Sequence, residues 1–330
     1  MPQPTNSDVH VNRPLTNVSV ATMQKATNFI ASRAFPTVPV AKQSDAYFLY
    51  DNAFWNTDQM KKRGPGAETP GSGYEIDSSN TYFADVWGVH KDVADQIRAN
   101  SDAPINLDRE ATDFVTMKAL IRREKEFVST AMTAAVWTRD YDGVSASPST
   151  SEVLQWNDAS STPIEDISDA RYDIMKLTGY EPNKLILGAP VYKELINHSD
   201  IIDRLKAGQT PGGPAMANAV RLAQIFEVDE VLVMKAIENT AAEKAASASH
   251  DFIGGKDALL VYAPPAPGVM TPSAGYTFVW TGLLGAGPQG NRITRFRMDA
   301  LASDRVELEI AFDIKLISAN LGAFWDGVVA

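Results

Sequence analysis

The clearest pattern lies in the last third of the chain. Over residues 305–317, Val306, Leu308, Ile310, Phe312, Ile314 and Leu316 alternate with Glu307, Glu309, Asp313 and Lys315, and Ala311 sits between them. A period of two over this length predicts one long strand with an apolar and a polar face. Residues 276–281 and 292–298 read as shorter strands before it. In the middle of the chain the period changes. Over residues 108–136, the positions Leu107, Ala111, Phe114, Ile121, Val128, Met132 and Ala135 form a predicted helical stripe with no Gly or Pro inside it. Asn106 or Asp108 can cap this helix. At 1.5 Å per residue it would be roughly 40 Å long. Arg122, Arg123, Glu124, Lys125 and Glu126 are read as its outer face, either solvated with weak ion pairs or in contact with another subunit.

Between residues 164 and 263 helices and strands alternate. Helices are predicted at 164–178, closed by Gly179, from Pro190 to residue 198, and at 215–226. Short apolar runs at 184–187, 231–234 and 258–262 read as buried strands, so the segment predicts an α/β unit with a mixed sheet. Residues 264–268 (PPAPG) form a linker.

The first 45 residues show neither period. Pro2, Pro4, Pro14, Pro36 and Pro39 interrupt them, and only residues 20–34 suit a short helix. Residues 34–40 must be extended, because each proline pushes its predecessor out of the helical region. This predicts an arm that needs another surface to lie on. A strand at 47–50 and a returning strand at 82–89 enclose a polar stretch, residues 56–81, with Lys61, Lys62 and Arg63 near its middle. A connection of about 25 residues is long for a compact domain, so it reads as a hairpin projecting from the body. Phe35, Val38, Val40, Phe54 and Trp55 are then apolar side chains for a neighbouring molecule to cover, and Lys61, Lys62 and Arg63 either pair with its acidic groups or serve solubility.

Composition narrows the chemistry. The chain has 330 residues, a formal net charge of -11 and no cysteine. An acidic chain is a poor match for tight phosphate-backbone binding. Without cysteine there is no disulfide, thiolate metal site or thiol nucleophile. No secretory signal pattern and no apolar run of about 18 residues is visible, so no membrane partner is expected. Gly285, Gly287 and Gly290 match the dinucleotide fingerprint by letter, but Pro288 and the strand-like residues after it are wrong for a strand–turn–helix cofactor loop, and a hairpin turn is expected. Residues 208–214 (GQTPGGP) are glycine-rich but lack the Lys-Ser/Thr of a phosphate loop. His198 with Asp200 and Asp203 fits a solvated helix end better than a metal site. Glu165, Asp166 and Asp169 suit a helix start. No catalytic, cofactor or metal residue is assigned, and no enzyme activity is expected.

The order of these parts, with the stretches YFADVWGVHKDVADQIRAN, GYEPNKLILGAPVYKEL, RLAQIFEVDEVLVMKA and GKDALLVYAPPAPG followed by SAGYTFVW, resembles the major capsid proteins of tailed bacteriophages, the Hong Kong 97-type fold. The resemblance implies an α+β fold. Its parts would be an amino-terminal arm at 1–45, an extended E-loop hairpin at 46–90, a peripheral domain with a spine helix at 91–150, an α/β axial domain at 151–263, and closing strands with a carboxyl-terminal tail at 264–330. It also implies hexamers and pentamers of this chain tiling an icosahedral head around double-stranded DNA, touched weakly and non-specifically. Gly208, Gly212 and Gly213 would lie in a loop at the capsomer axis. A separate scaffolding protein and a portal are expected partners, with a decoration protein as a further one. Assembly is expected in the bacterial host cytoplasm and residence in the virion. The alternatives are an encapsulin-like shell around cargo protein and, from another class, a nucleotide-dependent enzyme.

Overall fold

The computed structural model describes residues 24–50, 52–101, 105–207, 217–242, 247–268, 270–282 and 290–330. Gly208, Gly212, Gly213, Gly285 and Gly287 lie outside the described residues. So do the first 23 residues of the predicted arm.

Strands in chain order are β1 (Thr37–Val40), β2 (Ser44–Ala46), β3 (Leu49–Tyr50), β4 (Ile76–Asp77), β5 (Thr81–Phe83), β6 (Asp85–Ala94), β7 (Arg139–Val144), β8 (Glu152–Leu154), β9 (Lys184–Gly188), β10 (Glu230–Met234), β11 (Ile237–Asn239), β12 (His250–Phe252), β13 (Ala258–Val261), β14 (Gly275–Trp280), β15 (Asn291–Met298), β16 (Ser303–Leu316) and β17 (Gly322–Asp326). Among the described residues they form two main sheets. One has five strands in the order β1-β14-β16-β15, with β6 also on β16. The other has six, in the order β10-β9-β13-β17-β7-β8. The mixed helix and sheet content is the α+β class expected.

β16 is the long alternating strand. Val306, Leu308, Ile310, Phe312 and Ile314 are buried on one face, each worth about 1.5–3 kcal/mol of transfer. That face receives the long helix Leu107–Ala131. β6 takes one flank of β16 over residues 303–312, while β14 and β15 share the other flank, both antiparallel to it. Val279 pairs with Phe312 and Asn291 with Ile310. The glycine-rich stretch around Gly285 therefore joins two collinear segments that do not pair with each other. That corrects the hairpin turn read from sequence.

The six-stranded sheet is covered on both faces, which is why its strands read as unbroken apolar runs. Leu185, Leu187, Leu260 and Trp325 face one core, with helices Pro163–Thr178, Ala189–Leu195 and Ala219–Ile225 around it. Ile186, Leu259, Val261 and Phe324 face the core shared with the long helix. Gly179 caps the first of these helices with φ 76°, as predicted. The third helix begins at Ala219 behind an Asn218 cap, and the helix Ser199–Ala207 was not read from sequence.

The long helix departs from its predicted stripe. Asn106 caps it, accepting from the Arg109 amide at 3.1 Å. Its buried positions are Ala111, Val115, Arg123, Glu124, Phe127 and Ala131, whereas Phe114 is exposed. The predicted set 107, 114, 121, 128, 135 repeats every seven residues. Of these, Leu107, Ile121 and Val128 still pack partly buried against the core clusters, and Phe114 is the member within the helix that turns to solvent. The helix also ends earlier. Ala135, placed in the stripe, lies beyond it at φ 64°.

Candidate assembly surfaces

The hairpin is anchored at its base and exposed beyond it. β2 pairs with β5, and β3 with β4. At the base, Tyr82 and Tyr47 stack on Phe278 of β14 at 4.6 and 5.5 Å, and the Phe83 amide donates to Asp313 at 2.8 Å. Farther out, Tyr74 lies 5.2 Å from Trp55 and 6.0 Å from Tyr50. Trp55, Tyr74, Phe48, Ile76 and Met60 are all exposed, Met60 at 92%. Isolated large apolar residues are ordinary on a surface, whereas here three aromatic rings gather in the open. Tyr74 was visible in sequence as a lone aromatic among polar residues, yet only the strand pairing brings it to Trp55. Lys61, Lys62 and Arg63 are exposed at the hairpin's far end, beside a turn in which the Ala67 amide donates to the Gly64 carbonyl. Phe54 lies in the short helix Asn52–Trp55, and its side chain is outside the described residues.

The arm is different. Its described part lies on its own subunit, which corrects the reading of Phe35, Val38 and Val40 as surface left for a neighbour. Phe35 is 1% exposed and meets Phe127 of the long helix edge-on at 5.5 Å. Val38 and Val40 are half-buried in β1, which pairs in parallel with β14. Gln24 exchanges two hydrogen bonds of 2.9 Å with the Ile237 backbone, and Lys184 donates to the carbonyls of Arg33 and Ala34 at 2.6 and 3.2 Å.

The charges on the long helix also divide. Arg122 pairs with Glu126 one turn on, and its guanidinium lies 3.8 Å from the centre of the Trp87 ring; both Arg122 and Glu126 are half-buried. Glu124 is fully buried and Arg123 nearly so, which corrects their placement on an outer face. Desolvation lowers the Arg123 pKa and raises that of Glu124.

A cluster that sequence reading missed sits where β15, β16 and the start of the long helix meet. Arg98 pairs with Asp108 and Asp304 at 2.8 Å, Arg295 with Asp304 at 2.7 Å and Asp108 at 3.0 Å, and Arg297 with Asp95 at 2.5 Å. Arg297 and Asp95 lie 202 positions apart in the chain, so no local spacing reveals the cluster. His198, read as a solvated helix end, is buried instead. Its Nδ1 accepts from the Asp200 amide, so Nε2 carries the hydrogen toward Ser161 and the Asp158 carbonyl. Among the described residues no group of three or more His, Asp or Glu is placed to hold a metal ion, and no helix is long and apolar enough to cross a membrane.

Comparison with known proteins fits this geometry. Residues 151–274 match the family model described as phage major capsid protein E. The major capsid protein of Burkholderia phage BcepMu is 24% identical over 236 residues, 70% of each chain. Among solved structures, a phage-related protein of Bordetella bronchiseptica RB50 superposes with TM-score 0.68 at 21% identity, covering 93% of this chain and 94% of that one. The capsid of cyanophage P-SCSP1u gives 0.62 at 9% identity, covering 97% and 93%. The SrpI encapsulin of Synechococcus elongatus PCC 7942 gives 0.57 at 11%, covering 96% and 94%. The fold is thus the Hong Kong 97-type capsid fold. Within that class, the family model over residues 151–274 and the curated relative over 70% of the chain are both similar to phage major capsid proteins.

Proposed function

We propose that this subunit forms hexamers and pentamers that close into an icosahedral head around double-stranded DNA, assembled in the host cytoplasm. In this reading residues 46–90 are the E-loop, residues 91–150 with 264–330 form the peripheral domain, and residues 151–263 the axial one. Scaffolding protein, portal and a decoration protein are its further partners. The net charge of -11 suits a shell that encloses DNA through weak contacts without gripping it. Lys61, Lys62 and Arg63 would steer the hairpin toward acidic groups of a neighbour.

The observation that carries the proposal is the aromatic cluster of Tyr50, Trp55 and Tyr74, open to solvent. Aromatic anchors of this kind dominate association energy once a partner dehydrates them. Negative-stain electron microscopy and light scattering of the full chain, with a scaffolding protein supplied, should show capsomers or closed shells. Trp55→Ala together with Tyr74→Ala should abolish them while leaving subunit stability within about 0.5 kcal/mol, the usual range for surface positions. Shells of normal yield from the double variant would overturn the role of the hairpin, and a monomer under all conditions would overturn the assembly itself. Shell diameter and contents separate a DNA-filled head from an encapsulin-like compartment.

A further inference from the structure

Glu124 is an unusual residue for the middle of a helix. Its side chain is fully buried, where an ionised carboxylate is costly unless it is paired or hydrogen-bonded. It reaches across to the arm and accepts from the Ile30 amide at 3.1 and 3.0 Å and the Ala31 amide at 2.9 Å. Those amides open the helical turn Ala31–Ala34, whose first amides have no partner within the turn. One turn along the long helix, Phe127 receives Phe35. On the far side of that ring, Gly275 of β14 leaves the space, since a Cβ there would fall 2.7 Å from the ring. Directly after Phe35 and Pro36 the chain enters β1, and only Ala41–Gln43 separate β1 from the hairpin. The orientation of the whole amino-terminal segment thus passes through this contact.

A cavity of about 320 Å³ adjoins it, lined by Phe29 and Ser32 of the arm, Thr116 and Arg123 of the helix, and Leu308 and Phe312 of β16. The ionisable surroundings are sparse. Arg123 on the same helix attracts the carboxylate but stacks 5.8 Å from the Phe312 ring. Arg33 of the arm turns away to Glu230, and Lys184 of β9 is engaged by the arm carbonyls. β16 presents only Leu308, Ile310 and Phe312 here, and β15 presents Asn291.

We propose that Glu124 is a proton-tuned clasp that positions the arm on the long helix, and that taking up a proton tightens its hold. With the clasp closed, burial raises the Glu124 pKa above its ordinary 4.5 despite the two amide donors. With the arm lifted, the carboxyl meets water and returns to that ordinary value. A proton therefore binds the closed form more strongly. Closure is favoured fully below about pH 4.5 and is weakened as pH rises through the closed-state value. The clasp is a positioning device within one subunit and stands whether or not the hairpin makes the proposed contacts.

Amide exchange of the full chain, followed by mass spectrometry on peptides spanning residues 24–40 between pH 5 and 8, tests it. Rates are corrected for intrinsic exchange, so that the protection left reports opening of the arm. In the wild type, protection should rise as pH falls, by at most about tenfold per pH unit, the limit for one proton. Glu124→Gln keeps an oxygen for the two amides and cannot titrate, so its protection should stay high and flat with pH. Glu124→Ala should lose protection at every pH. A pH slope in the Gln variant equal to wild type would overturn the proposal, as would wild-type protection in the Ala variant. If the Ala variant fails to fold, the Gln variant alone decides.

Discussion

At one end of the five-stranded sheet, Asp304 accepts from Arg295 and Arg98, and Arg297 stands close by. Hydrogen bonds from Arg295 lead the causes that hold its pKa down at about 2. At the six-stranded sheet, Asp257 has another carboxyl, Asp326, for a neighbour, and burial pushes it up to about 6, even though the Gly327 amide donates to it. Asp166 on the same side is also driven up to about 6 by burial, with a single hydrogen bond from the Trp156 indole acting against it. Both regions are rich in aspartate, yet what surrounds each carboxyl reverses its response to acid. On the first side, charge pairing at a wet surface wins. On the second, loss of water wins, because the two-faced sheet and its helices leave no room for counter-ions.

The largest effect that would test this contrast is on the dry side. Trp325 of β17 is fully buried between Tyr141 at 5.6 Å and Trp156 at 5.8 Å. Trp325→Ala should cost about 3–5 kcal/mol in urea unfolding, and a loss below about 1 kcal/mol would mean that this side is not sealed by the last strand. Next comes the pH dependence of the raised pair. A carboxyl raised in the folded protein adds stability that is complete below about pH 4 and lost as pH rises through about 6. Asp166→Asn with Asp257→Asn should therefore flatten the stability profile between those values and raise stability at pH 7. An unchanged slope would remove the contrast. The smallest effect belongs to the wet side. Asp304→Asn should lower stability at pH 7, and the gap to wild type should close as salt rises from about 0.02 to about 1 M. In wild type the Asp304 contribution is present above about pH 4 and lost as pH falls through about 2. A salt-independent gap would point to lost packing in place of lost pairing.

Much of the fold was legible because it rests on periods. The alternation of β16, the double-faced runs of β9 and β13 and the Gly179 cap are local signals, and each appears where it was read; the proline-extended stretch read at 34–40 begins one residue later, because Ala34 closes a helical turn. The long helix was legible as a helix but not by its face. Charged letters at 123 and 124 read as solvent-facing, and nothing nearby in sequence announces two backbone amides arriving from 94 and 93 positions away. Likewise, a polar hairpin with scattered aromatics was legible, whereas the meeting of Trp55 with Tyr74 depends on the register of β3 against β4. The arginine and aspartate cluster draws on four separate segments. It emerges only once β15, β16, the short helix Asp95–Asn100 and the start of the long helix have been assembled.

The two collinear strands on one flank of β16 have a consequence for how this protein can change length. The chain leaves the β16 ladder after Val279 and rejoins it at Asn291, yet their partners on β16 lie only two residues apart at Phe312 and Ile310, about 7 Å along the strand. Exit and re-entry points that close tolerate extra residues at a cost that grows only with the logarithm of the added length. Gly290 must stay, because its backbone is at φ 61° and a Cβ would strike Val279 at 2.2 Å. Added length whose ends stay at these two points would leave the β16 ladder unaltered.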